Sequence, residues 1–189
     1  YQGDGGDHDD DNDHDHDHDH GDEHDDDQGD DDGGEAKHGG LVDNVRLYGA
    51  CYRSDNLVIN HSFENYPPLK HDDRGTFLTV PGWRAAHGNI EIHRYAGDRR
   101  TLMAAEGHSH LALGAATTRA VVQDLSTEAG AQYTLEFAYS PGEELAGANR
   151  NDLEVWWDGQ LITTLGGERK GWQQHQLRVE ATADSSELR

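Results

Sequence analysis

The chain has 189 residues and a formal net charge of -23, and 18 of its 38 acidic residues lie within residues 1–40, which hold a single base. This length suits one domain with an additional segment. The negative field argues against binding to nucleic acid or to anionic membranes, and no apolar run is long enough for a membrane-spanning helix, so we expect no membrane insertion.

Residues 1–38 form a low-complexity segment rich in Asp and His. It has too few apolar side chains to offset its ordering entropy, so we expect it to be disordered or ordered only by metal. Alternating imidazoles and carboxylates suit Zn²⁺, Ni²⁺ or Cu²⁺ better than a calcium loop. The alternative is a solvated acidic spacer. The candidate ligands are His14, Asp15, His16, Asp17, His18, Asp19 and His20.

Two strands are predicted in the stretch from Gly39 to Glu64. Residues 39–47 are typical of a strand that closes a β-domain, whereas residues 56–64 are typical of a strand that opens one. Cys51 is the single cysteine, which excludes a disulfide within the chain. The chain opens on Tyr1 and has Met103 as its only methionine, so we expect a fragment or a processed product.

From residue 56 onward the pattern is β throughout. Apolar residues alternate with polar ones in short runs separated by turn residues, and Asp158-Gly159 is a strong two-residue hairpin signal. This predicts an all-β fold, a jelly-roll β-sandwich of two antiparallel sheets. Alternation predicts that Leu153, Val155 and Trp157 share a core face, and that Trp156 points the opposite way. Glu91 and His93 also share a face, and we predict an exposed hydrogen-bonded pair.

Several short motifs resemble, in order, the galactose-binding-domain-like jelly rolls of secreted bacterial proteins and carbohydrate-binding modules. These motifs are Asn56–Glu64, Pro81-Gly82-Trp83, Ile90-Glu91-Ile92, Tyr133–Ser140, Asn151–Gly159 and the Leu-Val-Asp-Asn-Val strand at residues 41–45. The resemblance covers about residues 39–189. It implies an extracellular or cell-surface location.

The resemblance implies a structural calcium between the opening and closing strands. The matching positions are Glu64 and Asp43. Carboxylates and backbone carbonyls are suitable ligands for Ca²⁺. The alternative is that Glu64 caps a turn and that Asp43 is a solvated charge at a strand end.

One departure from the family is the position of the closing strand, which precedes the opening strand. We therefore divide the chain into residues 1–38, a closing strand with a short linker at 39–55, and a sandwich at 56–189 that lacks its own last strand. Residues 39–47 would then complete another copy or an adjacent repeat, in a tandem array or a strand-exchanged filament. The alternative is a leftover of an upstream domain.

Carbohydrate binding is the second function that the resemblance implies, and it needs exposed rings that stack on sugars. The candidates for contacting a glycan are Trp156, Trp83, Arg84, Tyr139 and Trp172. The alternative for Trp83 and Trp172 is that they plug the ends of the sandwich. No catalytic motif is present, and we expect no enzyme. The expected work is structural or adhesive, with carbohydrate binding or metal sequestration as alternatives.

Overall fold

The computed structural model describes residues 38–49, 55–69, 73–95, 102–114, 118–141, 152–166 and 171–189. Within these ranges the chain is all-β and contains no helix that could cross a membrane. The Asp/His tract at residues 14–20 and Cys51 lie outside the described residues. The strands are β1 (His38–Gly49), β2 (Arg74–Phe77), β3 (Thr79–Val80), β4 (Trp83–His87), β5 (Ile90–Arg94), β6 (Ser109–Gly114), β7 (Ala120–Ser126), β8 (Gln132–Ser140), β9 (Leu153–Trp157), β10 (Gln160–Leu165), β11 (Gln173–Glu180) and β12 (Ser185–Leu188).

The strands form two antiparallel sheets of six, which confirms the predicted β-sandwich. The first sheet has the order β11-β8-β1-β6-β5-β2, and the second has the order β10-β9-β12-β7-β4-β3. Alternate side chains of both sheets meet in one hydrophobic core, which includes Leu135 and Phe137 of β8 and Val155 and Trp157 of β9. The core face predicted for Leu153, Val155 and Trp157 is therefore confirmed.

Strand β1 lies inside the first sheet, hydrogen-bonded to β8 on one side and to β6 on the other. This differs from the expectation that residues 39–47 would complete a neighbouring copy. The gap between β6 and β8 could accept this strand from the same chain or from a neighbouring copy. A strand on the same chain has the higher effective concentration. Both backbone edges of this stretch are thus occupied within one chain, in the same compact unit as the other eleven strands.

The predicted opening strand at residues 56–64 is a series of turns. Asn60 and Phe63 have left-handed backbone conformations, with φ of 53° and 55°, which interrupt an extended chain. The Asn60 carboxamide closes the turn by accepting from the Asn65 amide and donating to the Asn65 carbonyl, both at 2.9 Å. Local hydrogen bonding by asparagine therefore replaces the strand here.

Gly40 of β1 is required by close packing against Tyr139 of β8. A methyl group at position 40 would lie 2.5 Å from Tyr139 Cε2, whereas one at Gly49 of the same strand would meet nothing within 4 Å. We expect Gly40→Ala to lower the free energy of unfolding by about 1–3 kcal/mol through overpacking. Urea unfolding checks this, with Gly49→Ala as the matched control. Equal effects of the two substitutions would contradict the tight contact.

Candidate functional site

The two predicted calcium ligands come together beside one loop. Asp43 lies at an irregularity of β1, where the pairing with β8 shifts between Asp43 and Arg46 and Asn44 has a φ of 53°. The shift re-aims the side chain, as bulges do, and the Asp43 side chain is fully buried at 0% exposure. Glu64 follows the Asn60 turn.

The loop between Glu106 and Ser109 donates backbone N–H groups to both carboxylates. Asp43 Oδ2 accepts from the Glu106 amide at 2.8 Å. Glu64 Oε1 accepts from the amides of His108 at 2.7 Å and Ser109 at 2.6 Å. Gly107 between them has a φ of 71°, and any side chain there would collide with the Glu64 carboxylate. One loop therefore fixes both carboxylates, which we call the seam carboxylates.

The electrostatics of the seam carboxylates are unfavourable without a cation. Burial raises the pKa of Asp43 to about 7, and the charge of Glu64 adds to the rise. Backbone hydrogen bonds to Asp43 oppose this effect without cancelling it. The nearby Arg46 pairs with Glu106. No ion pair between described residues involves either seam carboxylate. The charged form of Asp43 is thus disfavoured, and a bound cation would favour it.

The possible metal ligands at Asp43 and Glu64 are oxygen atoms, which suit Ca²⁺. Each Asp43 oxygen accepts one N–H and keeps a further lone pair, whereas Glu64 Oε1 accepts two and leaves Oε2 as the oxygen of Glu64 that could bind an ion. The described residues contain no group of three or more His, Cys, Asp or Glu side chains arranged to hold a metal. A calcium ion here would therefore need backbone carbonyls and water besides Asp43 and Glu64.

Two of the predicted sugar-binding rings are buried, which corrects their assignment. Trp83 is 4% exposed, stacks on Phe63 at 5.4 Å between ring centroids, and donates its indole N–H to the Asn60 carbonyl at 3.3 Å. Tyr139 is 1% exposed, and its burial raises the pKa of its hydroxyl to about 12. Sugar stacking needs an open ring face, which neither side chain has.

The other three predicted sugar-binding residues are held by contacts within the chain. Trp172 donates its indole N–H to the Met103 carbonyl at 2.7 Å. Trp156 lies on the outer face of the second sheet, as the alternation predicts, but the Arg189 guanidinium covers the ring at 5.3 Å. Arg84 is exposed and donates to Glu187 at 2.9 Å. Two of the five candidates thus lie in the core, and the other three already have partners within the chain.

A buried charge network on the outer face of the first sheet was missed by sequence reasoning. Glu91 and His93 are hydrogen-bonded at 2.8 Å, as predicted, but His93 is buried and Glu91 is half-buried rather than exposed. Arg119 adds an ion pair to the second oxygen of Glu91. Burial alone would raise the pKa of Glu91, but hydrogen bonds and charge from His93 and Arg119 lower it to about 2. The alternation predicts that Glu91 and His93 share a face, but it does not predict that other side chains bury this face.

This network predicts a loss of stability in acid. The folded-state pKa of Glu91 is about 2 against 4.5 for the free group, so its contribution is present above pH 4.5 and is lost as the pH falls towards 2. We expect Glu91→Gln to cost about 2 kcal/mol at pH 7 and almost nothing near pH 2. Urea unfolding across this range is the measurement, with the exposed Glu180→Gln as control. A penalty that is independent of pH would contradict the assignment.

Comparisons with known proteins give a partial similarity. No protein-family model matches the chain, and no solved structure matches it. Over 141 residues, 72% of the chain, it is 29% identical to a multifunctional-autoprocessing repeats-in-toxin protein of Vibrio cholerae serotype O1. Its counterpart from Vibrio vulnificus is 28% identical over 142 residues. The chain spans only 3% and 2% of the length of these relatives, so it is similar to one small part of each.

Proposed function

We propose that the chain is an extracellular β-sandwich module of a longer repeat-containing protein, stabilised by calcium, with a structural or adhesive role. The similarity to short parts of two repeats-in-toxin proteins supports an extracellular repeat module. The acidic segment at residues 1–38 would give such a module a cation-binding, solvated surface.

The observation that carries the proposal is the buried position of Asp43 beside Glu64. A fully buried carboxylate whose pKa is raised to about 7 is costly, and a second carboxylate increases the cost. A calcium ion bound to the oxygens of both would remove the repulsion. The family resemblance implies the same two positions.

Calcium at this place would join three separate parts of the module. Asp43 belongs to β1, Glu64 to the turns that follow it, and the loop at residues 106–109 leads into β6. Backbone hydrogen bonds already connect the first two parts, from Val45 N to the His61 carbonyl at 2.8 Å and from Leu57 N to the Leu47 carbonyl at 3.0 Å. The ion would reinforce this connection and stiffen the module.

Copies of the module, or adjacent repeats, are the proposed partners. Because β1 is paired on both sides within its own chain, copies joined in a tandem array would meet through surfaces other than the edges of residues 39–47. Strand exchange would require β1 to leave its sandwich and form the same pairs in a second copy. The module thus has no need of a donated strand.

The other two candidate functions have less support. Glycan binding through Trp156 would have to displace Arg189 from the ring. Metal sequestration depends on the tract at residues 14–20, which lies outside the described residues. We therefore propose a calcium-stabilised module with a structural or adhesive role.

Calorimetric titration of Ca²⁺ into the full chain tests the proposal. Besides any loose binding by the Asp/His tract, we expect one site with a dissociation constant of about 10⁻⁴–10⁻³ M, as in extracellular modules. Asp43→Asn should remove this site and leave binding by the Asp/His tract unchanged. Asp124→Asn, at an exposed carboxylate of β7, is the matched control. The same heats for wild type and Asp43→Asn would refute calcium at the seam.

A further inference from the structure

Strand β12 lies between β7 and β9 over only part of their length. It pairs with residues 123–126 of β7 and with Trp157 of β9. Arg189 adds two backbone hydrogen bonds to Trp156, at 2.8 and 3.0 Å. Because β7 and β9 both extend past these pairs, β12 leaves a stretch of each strand without a neighbour on the side that faces it.

The remaining stretches of β7 and β9 bound an open slot in the second sheet. Residues 120–122 of β7 pair with β4, and residues 153–155 of β9 pair with β10. Among the described residues no strand lies between these two stretches. The depression at this place has a volume of about 640 Å³, far more than the ~30 Å³ that one water molecule occupies in the liquid. We call it the sheet slot.

The backbone of the sheet slot is arranged to receive a further piece of β-strand. Hydrogen-bonded and non-hydrogen-bonded pairs alternate along an antiparallel ladder. Because Trp156 forms a hydrogen-bonded pair with Arg189, the next such position on β9 is Glu154. The N–H and C=O groups of Glu154 therefore point into the slot. An extended segment that continues the path of β12 would bind to them, as in β-augmentation.

The inner side of the sheet slot is apolar and incompletely covered. Leu113, Val121 and Leu153 line it, and each is only half-buried although it packs against the hydrophobic core. Side chains alternate along a strand, and Leu188 belongs to the core. The first residue after Arg189 on the same path therefore points inward. An apolar side chain there would cover the exposed parts of the three lining residues.

The sequence Tyr-Gln-Gly at residues 1–3 has the pattern that the sheet slot requires. Tyr1 is the single apolar side chain in residues 1–34. Placed directly after Arg189, Tyr1 would point inward and Gln2 outward. Gly3 would add no side chain at the second inward position, which lies opposite Leu153. Three residues also match the three of β9 that β12 leaves without a neighbour.

We propose that residues 1–3 of a second copy of the module occupy the sheet slot and continue the path of β12. This contact joins the two copies through the second sheet of one of them, while β1 remains paired within its own copy. The inference rests on the proposed repeat module, because it needs a second copy, but it does not depend on calcium.

Disulfide formation between two full-length chains tests the contact. Both chains carry Cys51→Ser, one also carries Gln2→Cys, and the other carries Glu154→Cys at the position opposite Gln2. The Cα atoms of such a pair are about 5.5 Å apart, which suits a disulfide, so we expect a heterodimer after oxidation of the mixture. Arg178→Cys, at an exposed position of β11 in the first sheet, is the matched control and should give roughly tenfold less heterodimer.

Removing the inward side chain separates slot binding from random collision. Adding Tyr1→Ser to the Gln2→Cys chain should lower the heterodimer yield to that of the control. A Glu154→Cys yield no higher than the Arg178→Cys yield would overturn the proposal. A chain with both Gln2→Cys and Glu154→Cys that forms the disulfide only within itself would overturn a second copy as the occupant.

Calcium titration of the same samples distinguishes this inference from the calcium proposal. The oxidation is carried out once with calcium and once with a chelator, and we expect heterodimer in both. Calcium binding at the seam carboxylates without excess heterodimer would refute the slot contact alone. Excess heterodimer without calcium binding there would refute the calcium-stabilised seam alone.

Discussion

Replacing Trp83 with alanine should lower the free energy of unfolding by about 3–5 kcal/mol. The side chain is almost fully buried, stacks on Phe63 and donates a hydrogen bond to the Asn60 carbonyl. For a chain of this size, the unfolding midpoint should fall by roughly 10–15 °C. Thermal unfolding followed by circular dichroism measures the shift.

Trp156→Ala is the matched control, because it removes the same side chain from an outer face. This ring is only partly buried, and its contacts are the Arg189 guanidinium and a hydrogen bond to Glu154. We expect a loss of about 1 kcal/mol or less. Similar losses for the two tryptophans would mean that Trp83 does not help to hold the sandwich together.

Removing calcium should lower the stability of the module by an amount that depends on the calcium concentration. At a free Ca²⁺ concentration 100 times the dissociation constant, binding to the folded state alone adds about 2.7 kcal/mol. A chelator should therefore lower the unfolding midpoint by roughly 5–10 °C. Calcium returned in excess should restore it.

Two controls distinguish calcium bound at the seam carboxylates from other effects of cations on stability. Mg²⁺ is smaller and keeps its water shell more readily, so it should restore little of the lost stability. Asp43→Asn should make the midpoint insensitive to the chelator, because the proposed site would lose one of its two carboxylates. If the variant responds as strongly as wild type, the stabilising calcium binds elsewhere.

The strands that the sequence predicts well are those with strict alternation and clear turns. Strand β10, Gln160–Leu165, directly follows the predicted Asp158-Gly159 hairpin turn. The Asp158-Gly159 turn before it has φ of 48° and 76°, the left-handed pair that such hairpins require. In these places one local pattern decides both the conformation and the buried face. The seam carboxylates were predicted through the family resemblance, and the structure brings them together.

The features that the sequence did not predict depend on contacts between distant residues. The segment at residues 56–64 is apolar enough for a strand. However, the Gln123 carboxamide of β7 accepts from the Ile59 N–H at 2.7 Å and donates to the Ile59 carbonyl at 3.0 Å. The burial of Trp83 and Tyr139 likewise depends on which strands face each other. The pairing of β1 with β6 and β8 is also nonlocal, and the order of motifs along the chain does not reveal it.

The position of the bound ion tests the central claim most directly. Crystals of the full chain grown with calcium should show an anomalous scattering peak between the carboxylates of Asp43 and Glu64, with oxygen ligands at about 2.3–2.6 Å. A calcium-saturated chain whose crystals show no peak there, or a peak only at other carboxylates, would contradict a calcium-stabilised seam.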